Sequence, residues 1–328
     1  MRLGWATATN TLLLYRFLTT NSLVFFLLKV PGINAIRRPL LRKKEGTIAR
    51  TSLAIQRGQE HEGMSKKTGM IVLVACTILV AGIACFLHRI PQPQSYHLFA
   101  DSRGYLGIPN FGDVVSNLPF AIFGVWGIVF LLRLRGHELH ERFLDRRERL
   151  PYLIFFIGML LTAFGSSYYH LDPDNARLVW DRIPMTIAFM SLIAALISER
   201  TNLQAGIWLL PFLLLVGMGS VLQWYGTELQ GVGDLRFYGA IQAYSVVFLL
   251  IMLCFPPRYT RGSDLLVVAG FYVLAKLLET FDRQIFDLGH VVSGHTLKLL
   301  VASLAGYWVL RMLVRRRPVS VDAGSRFA

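Results

Sequence analysis

Charged residues are scarce in this sequence, and most of those present are basic. Asp, Glu, Lys and Arg make up 16% of the 328 residues, with 34 Lys and Arg against 20 Asp and Glu. Ordinary globular domains carry about 25% charged residues, so this chain lacks the polar surface to cover itself in water. The composition also excludes a disordered protein, because disordered chains combine low hydrophobicity with high charge.

Cysteine is also rare, and its placement argues against two classes of protein. The three cysteines, Cys76, Cys85 and Cys254, lie inside apolar runs, and no Cys-x-x-Cys pair occurs. An odd number of thiols in apolar surroundings is a poor basis for a disulfide framework or a cysteine metal site. A small secreted disulfide scaffold is therefore not expected.

The sequence instead contains many long hydrophobic runs. Hydrophobic residues make up 54% of the chain, and its mean hydropathy is +0.48. A bilayer core of about 30 Å needs roughly 17–25 apolar residues per helix. Eight runs reach or approach this length: 70–87, 114–132, 150–169, 183–198, 205–222, 237–255, 265–278 and 291–312. The sequence predicts an all-α protein, a polytopic transmembrane helix bundle.

Arginine placement predicts the orientation of this bundle. With the start inside, the inner loops and the C-terminal tail contain 14 arginines, and the outer loops contain 6. This asymmetry follows the positive-inside rule. The net charge of +14 is therefore an orientation signal, and no nucleic-acid partner is needed to explain it.

Ionisable residues collect at the outer ends of the predicted helices. Ser166 and His170 are four residues apart and share a helix face. Asp181 follows after a short outer loop, and His290 and His295 stand at the start of the last run. Ionisable groups at membrane depth are costly, so their positions suggest function. Imidazole with carboxylate is a ligand set of zinc, which keeps an open position for water in catalytic sites.

Structural roles are the alternative for each of these residues taken alone. Asp181, three residues before Pro184, and Ser293 could each be a helix N-cap. Asp172 and Asp174 flank a proline and are typical of a turn. A single interfacial histidine is more often a hydrogen-bonded structural residue than a ligand. The functional interpretation depends on the convergence of several such residues at one depth.

Three stretches carry a resemblance to a known family. They are the Ser-x3-His pair of Ser166 and His170, the aspartate of Asp181-Arg-Ile-Pro-Met eleven residues later, and Ser293-Gly-His-Thr-Leu-Lys in the last helix. The chain resembles the alkaline ceramidase family, which belongs to the CREST group of seven-helix membrane hydrolases. Residues 110–119 look like the family's stretch that enters its first core helix, and residues 233–238 and 275–282 look like its bacterial members. The resemblance covers about residues 96–312.

The resemblance implies a division of the chain into four parts. Residues 96–312 would form a seven-helix ceramidase-like membrane domain, and residues 64–95 one extra N-terminal transmembrane helix. Residues 1–63 would be a basic extension, either disordered or ahead of the true start, because Met64 directly precedes Ser-Lys-Lys. Residues 313–328 would be a basic cytoplasmic tail. The site would face the periplasmic side of a bacterial inner membrane.

The resemblance also implies a zinc-dependent hydrolase that cleaves the amide bond of ceramide or a similar lipid amide with a metal-activated water. His170 and His295 would be zinc ligands, Ser166 would support the water or the developing oxyanion, and Asp181 would transfer the proton. Zinc lowers the pKa of bound water to about 7, and a nearby carboxylate can accept its proton. The expected partners are the bilayer and the lipid substrate, and no protein partner can be named.

One position departs from the family pattern. That pattern has a further histidine four residues after the first in the last helix, and here this position is Leu299. Two imidazoles alone make a weak zinc site, so His290 is a possible third ligand, and Asp172, Asp174 or Asp181 could supply an oxygen. The alternative is a catalytically degenerate, lipid-binding or receptor-like member of the same fold.

Calcium binding and transport are not expected. The animal enzymes of the family carry an acidic calcium loop before the first core helix, where this chain has Asn110 and Asp113, with Asp101 nearby. Calcium takes 6–8 oxygen ligands, so we expect no tight calcium site. A transporter needs ionisable residues through the midplane. Lys276 and Glu279 come nearest to such a path, and because they are three residues apart we expect them to pair with each other.

Overall fold

The computed structural model describes residues 66–319, which fold as helices joined by loops and contain no β-strand. The predicted extension at 1–63 lies outside the described residues. Eleven α-helices follow one another in the described part: α1 (Lys66–Phe86), α2 (Phe111–Val115), α3 (Leu118–Arg133), α4 (Gly136–Arg142), α5 (Arg149–Leu171), α6 (Asn175–Arg200), α7 (Leu203–Leu229), α8 (Arg236–Leu253), α9 (Asp264–Thr280), α10 (Asp282–Asp287) and α11 (Gly294–Arg315).

Each of the eight apolar runs contains helix in the structure, and polar side chains cap the first turns of three of these helices, α6, α7 and α11. Asp174 accepts a hydrogen bond from the backbone N–H of Arg177 at 2.7 Å, and Ser293 accepts one from that of Thr296 at 3.0 Å. The cap role of Ser293 is therefore confirmed. The cap role considered for Asp181 is wrong, because α6 begins six residues earlier and is capped by Asp174.

The run at 114–132 is interrupted in the structure. Ser116 and Asn117 separate α2 from α3. Pro119 lacks a backbone N–H and fits the first turn of a new helix better than the interior of a continuous one. Both intervening side chains donate hydrogen bonds to the carbonyl oxygen of Asp113, at 3.0 and 2.9 Å. The break is thus held by its own polar residues.

Seven helical segments of the described chain are long and apolar enough to cross a membrane: α1, α2 with α3, α5, α6, α7, α8 and α11. The chain is an integral membrane protein. The eighth long helix, α9, has 17 residues, which span about 26 Å at 1.5 Å per residue. It nevertheless forms ion pairs with α11 near both ends of that helix. Asp264 pairs with Arg311 at 3.6 Å near one end, and Glu279 pairs with Lys298 at 2.9 Å near the other.

The most enclosed spanning helix is α6, which packs against α5, α7 and α8. In turn, α11 packs against α3 and α9. The outlying helix α1 packs against α8, where the hydroxyls of Thr77 and Tyr244 lie 2.6 Å apart. Gly165 allows the closest approach of α5 to α6, because a Cβ there would overlap the carbonyl oxygen of Trp180.

A buried ion pair lies at the end of the bundle where α5 begins and α11 ends. Arg316 is 1% exposed and pairs with Glu199. Its guanidinium carbon lies 4.4 Å from the ring centroid of Phe143 and 4.1 Å from that of Tyr259. Its Nε also donates to the carbonyl oxygen of Arg142 at 2.9 Å. Arg316, which directly follows α11, therefore belongs to the packed fold, and the tail boundary expected at residue 313 falls inside α11.

Replacing Arg316 tests this network. Arg316→Met should lower the free energy of unfolding by about 3–5 kcal/mol, because it leaves the Glu199 carboxylate buried without its cation. Arg317→Met is the matched control, since Arg317 is exposed and pairs with Glu141 at 3.3 Å, and exposed pairs contribute about 0–1 kcal/mol. Denaturant titration of the detergent-solubilised protein measures both. Equal losses in the two variants would contradict the structural role of Arg316.

A candidate metal centre

Three buried side chains from three helices meet at the opposite end of the bundle. Asp113 lies in α2, His170 in the last turn of α5 and His295 in the first turn of α11. Each offers one ligand atom, and these atoms lie within 4.8 Å of one another. The three residues, called the trio below, are 0%, 1% and 5% exposed. The trio could hold a metal ion.

Each residue of the trio has one buried side-chain atom without a hydrogen-bond partner in the described part of the chain. Asp113 Oδ2, His170 Nδ1 and His295 Nε2 are buried and make no hydrogen bond within residues 66–319. About 90% or more of buried polar groups are hydrogen-bonded in proteins, and an unpaired one costs free energy. Three unpaired atoms from three residues at one place therefore need an explanation. A bound metal ion provides one, because it would give all three atoms a partner at once.

Hydrogen bonds hold the carboxylate of Asp113 in place. Thr296 Oγ1 donates to Asp113 Oδ1 at 2.6 Å, and Ser293 Oγ donates to Thr296 Oγ1 at 3.1 Å. One carboxylate oxygen is thereby occupied and the other is left free. Gly112 allows α2 to approach α11, because a Cβ at this position would lie only 2.9 Å from Thr296 Oγ1. Partners that orient metal ligands typically change metal affinity by about 10–100-fold.

A second carboxylate positions the start of α11. Asp282 Oδ1 accepts a hydrogen bond from the backbone N–H of His295 at 2.8 Å, and its Oδ2 accepts one from that of Ala100 at 3.0 Å. Gly294 fits closely beneath α9, because a Cβ there would overlap the carbonyl oxygen of Leu278. One side chain therefore holds both the helix that carries His295 and the loop that precedes α2.

That loop covers the two histidines with an aromatic ring. Phe99 is buried, and its ring centroid lies 4.8 Å from that of His170 and 4.6 Å from that of His295. The two imidazole centroids are 5.0 Å apart. An apolar cover keeps water from this side of the histidines. The resulting low dielectric strengthens the electrostatic interactions within the site.

Polar contacts anchor both sides of the same loop. His97 Nδ1 lies 2.9 Å from Tyr169 Oη, and His97 Nε2 lies 3.0 Å from Asn175 Oδ1. Burial lowers the pKa of His97, so the ring is neutral near pH 7, and the amide oxygen requires the proton on Nε2. Tyr169 then donates to Nδ1. On the other side, the hydrogen bonds from Arg103 to Asp101 lower the pKa of that carboxyl.

Ser166 and Asp181 lie close to the trio. Ser166 is one helical turn before His170 and fully buried. Its hydroxyl lies within hydrogen-bonding reach of the carboxylate of Asp181 on α6. The close contact of Gly165 with Trp180 brings these two positions together. Neither residue belongs to the trio.

A buried ammonium group stands beside these residues. Lys298 interacts electrostatically with all three members of the trio and with Asp181. Its Nζ pairs with Glu279 at 2.9 Å, and Lys276 pairs with the same carboxylate at 2.8 Å. The predicted pairing of Lys276 with Glu279 is confirmed. Sequence reasoning missed Lys298 as its third member, although Lys298 is only one turn along α11 from the start of the helix.

The other candidates lie away from the trio. His290 has a left-handed backbone with φ 51° before α11 begins, and its exposed ring packs against Phe286 with centroids 5.1 Å apart. His290, the possible third ligand, is therefore exposed and is not a member of the trio. Arg177 pairs with Asp172 at 2.6 Å and with Asp174 at 2.7 Å. These aspartates are therefore turn and cap residues and supply no oxygen to the trio.

Asp113 is the donor that sequence reasoning missed, since it was compared only with a calcium loop. A usable signal was present, because Asp113 is a carboxylate at the head of an apolar run and at the level of His170 and His295. Ionisable residues at such positions are costly and often functional. Depth alone does not give the distance from α2 to α11, however. That distance depends on the break in the helix before α3 and on the absence of a side chain at Gly112.

Comparison with known proteins does not add to this geometry. The chain matches no protein-family model and no curated protein. The function therefore has to be argued from the donor set itself and from the residues around it.

Metal analysis of the purified protein tests the trio. The protein should contain about one metal ion per chain, as expected for a site with three protein ligands. Asp113→Asn, His170→Ala and His295→Ala should each remove most of it, whereas His290→Ala should retain it. Elemental analysis by mass spectrometry after detergent purification measures the content. Loss of metal in His290→Ala alone, or in none of the four variants, would exclude this site.

Proposed function

We propose that this protein is a zinc-dependent membrane hydrolase that cleaves the amide bond of ceramide or a similar lipid amide. The observation that carries the proposal is the trio, whose ligand atoms lie within 4.8 Å of one another. Two histidines and one carboxylate are a ligand set of hydrolytic zinc sites, which keep a further position open. Zinc bound there would polarise the substrate carbonyl and lower the pKa of a water molecule to about 7.

Two side chains beside the trio suit the proton and charge changes of amide hydrolysis. The reaction adds water across the carbon–nitrogen bond and releases a fatty acid and an amine. Asp181 would accept the proton of the attacking water and deliver it to the leaving nitrogen. Ser166 Oγ, which is buried beside Asp181, would donate to the oxygen that gains negative charge. Both residues lie outside the trio and remain available for these roles.

The resemblance to alkaline ceramidases supports the same assignment. His170 and His295 stand at two of the expected ligand positions, and Leu299 stands at the third. Leu299 is buried one turn after His295. Asp113 occupies a position where the animal enzymes have asparagine. We infer that Asp113 takes the place of the missing imidazole and supplies the third ligand from α2.

The alternative, a lipid-binding or receptor-like protein without catalysis, has one observation in its favour. Lys298 places a positive charge near the trio, and a like charge opposes cation binding. Glu279 compensates part of this charge, since it pairs with Lys298 at 2.9 Å and with Lys276 at 2.8 Å. Asp113 and Asp181 add two carboxylates at the same end of the bundle. The balance therefore favours a site that accepts a metal ion.

The charge distribution supports an orientation for the site. The arginine-rich segments 133–149 and 311–317 lie at the end of the bundle opposite to the trio. By the positive-inside rule that end faces the cytoplasm, and the trio would face the periplasmic side of a bacterial inner membrane. A lipid could then keep its tails in the bilayer while its amide reaches the polar atoms of the site.

Turnover of a fluorescent ceramide tests the catalytic role of Asp181. Asp181→Asn should lower kcat by about 100-fold or more, because general acid–base catalysis contributes about 10²–10⁴-fold, while its metal content stays unchanged. Asp172→Asn is the control, since Asp172 is exposed and pairs with Arg177. Full turnover in Asp181→Asn would exclude the proposed proton transfer. A zinc-loaded wild type without turnover of any lipid amide would favour the non-catalytic alternative.

Exchange of the third ligand tests the inference about Asp113. Asp113→Asn should lose zinc, and Asp113→Asn/Leu299→His should regain it, because histidines four residues apart share a helix face. The single variant Leu299→His should bind zinc at least as well as the wild type. Isothermal titration with zinc of the metal-free protein measures all four forms. Failure of the double variant to regain zinc would show that position 299 does not face the trio.

A further inference from the structure

A cavity of about 300 Å³ lies between α3 and α5, at the end of the bundle opposite to the trio. Cavities of this size accommodate small ligands and polar headgroups. Its wall has a basic side and an apolar side, formed by Arg146, Arg147 and Arg149 and by Leu132, Leu150 and Leu153.

The basic side carries more positive charge than its surroundings compensate. Arg147 pairs with Asp145 at 2.9 Å, and Arg146 interacts with the same carboxylate only at longer range. The next carboxylate along the chain, Glu148, is already paired with Arg258 at 3.1 Å. Arg146 and Arg149 therefore have no ion-pair partner among the described residues. Guanidinium groups bind phosphate oxygens strongly, through two parallel hydrogen bonds.

The apolar side faces the region where lipid chains lie. Leu132 and Leu150 are 55% and 41% exposed and belong to two spanning segments. Arg146 marks the end of one of these segments, so the guanidinium groups lie at the depth of the lipid headgroups. A free phosphate ion would use only the basic side of this cavity. A phospholipid would use both sides.

We propose that this cavity binds an anionic phospholipid, with the headgroup phosphate on Arg146 and Arg149 and the acyl chains along the leucines of α3 and α5. Basic pockets between transmembrane helices are a known mode of anionic lipid binding. The site is separate from the trio, and it does not depend on the zinc-dependent function.

Native mass spectrometry of the full chain in detergent tests the proposal with phosphatidylglycerol and phosphatidylcholine as probes. Phosphatidylglycerol should bind in preference to phosphatidylcholine. Arg146→Gln/Arg149→Gln should weaken phosphatidylglycerol binding by about 30-fold, which corresponds to about 1 kcal/mol per arginine. Arg146→Lys/Arg149→Lys keeps the charge and should retain most of the affinity. Circular dichroism and gel filtration establish that each variant is folded.

A second double variant separates this cavity from the general charge of the surface. Arg135→Gln/Arg315→Gln removes two exposed arginines from the same end of the bundle and should leave phosphatidylglycerol binding unchanged. An equal loss in both glutamine variants would overturn the proposal, as would equal binding of the two lipids. Glycerol phosphate, which has no acyl chains, should not displace the bound lipid. Its displacement of the lipid at similar concentration would show a phosphate site without a lipid role.

Discussion

Polar groups buried inside a membrane-spanning bundle must find partners within the protein, because the hydrocarbon around it offers none. The two ends of this bundle satisfy that requirement differently. At the arginine-rich end the buried carboxylates meet cations, as Glu199 does with Arg316 and Glu148 with Arg258. At the other end Asp113 bonds a threonine hydroxyl and leaves its second oxygen unpaired among the described residues, as are two imidazole nitrogens. At the first end the buried charges are paired with opposite charges, although Arg316 Nη2 has no hydrogen-bond partner among the described residues. At the second end no cation of residues 66–319 pairs with Asp113, and a bound metal ion could take that place.

The same end depends on helix packing that small residues permit. Gly165 brings α5 against α6, Gly294 brings α11 against α9, and Gly112 brings α2 against α11. A methyl group at any of these positions would press against a neighbouring helix or against Thr296. The separation of the ligand atoms is therefore set by backbone packing, which is rigid, more than by flexible side chains. This explains how donors from three helices come within 4.8 Å of one another.

The sequence predicted the helices and two donors, and it failed on the third for a physical reason. An apolar run of bilayer length has few structures open to it, so the helices lie where they were expected. Depth in the membrane also follows from the runs, which is why His170 and His295 were identified together. Asp113 required knowledge of which helices are neighbours, and hydropathy does not contain that. His290 lies at the expected depth, but it precedes α11, which begins only after the Ser293 cap, and its exposed side chain is not part of the trio.

A carboxylate in place of an imidazole changes more than the identity of one ligand. In the proposed site two neutral histidines would leave the charge of a divalent ion uncompensated, and Lys298 lies within electrostatic range of them. A third imidazole would not reduce that repulsion, whereas the carboxylate of Asp113 does. Thr296 holds one oxygen of this carboxylate at 2.6 Å, and the other oxygen, which has no hydrogen-bond partner among the described residues, would be available to a metal ion. Under the proposed function, Asp113 in α2 would supply the ligand that Leu299 in α11 cannot, and its negative charge would suit this site.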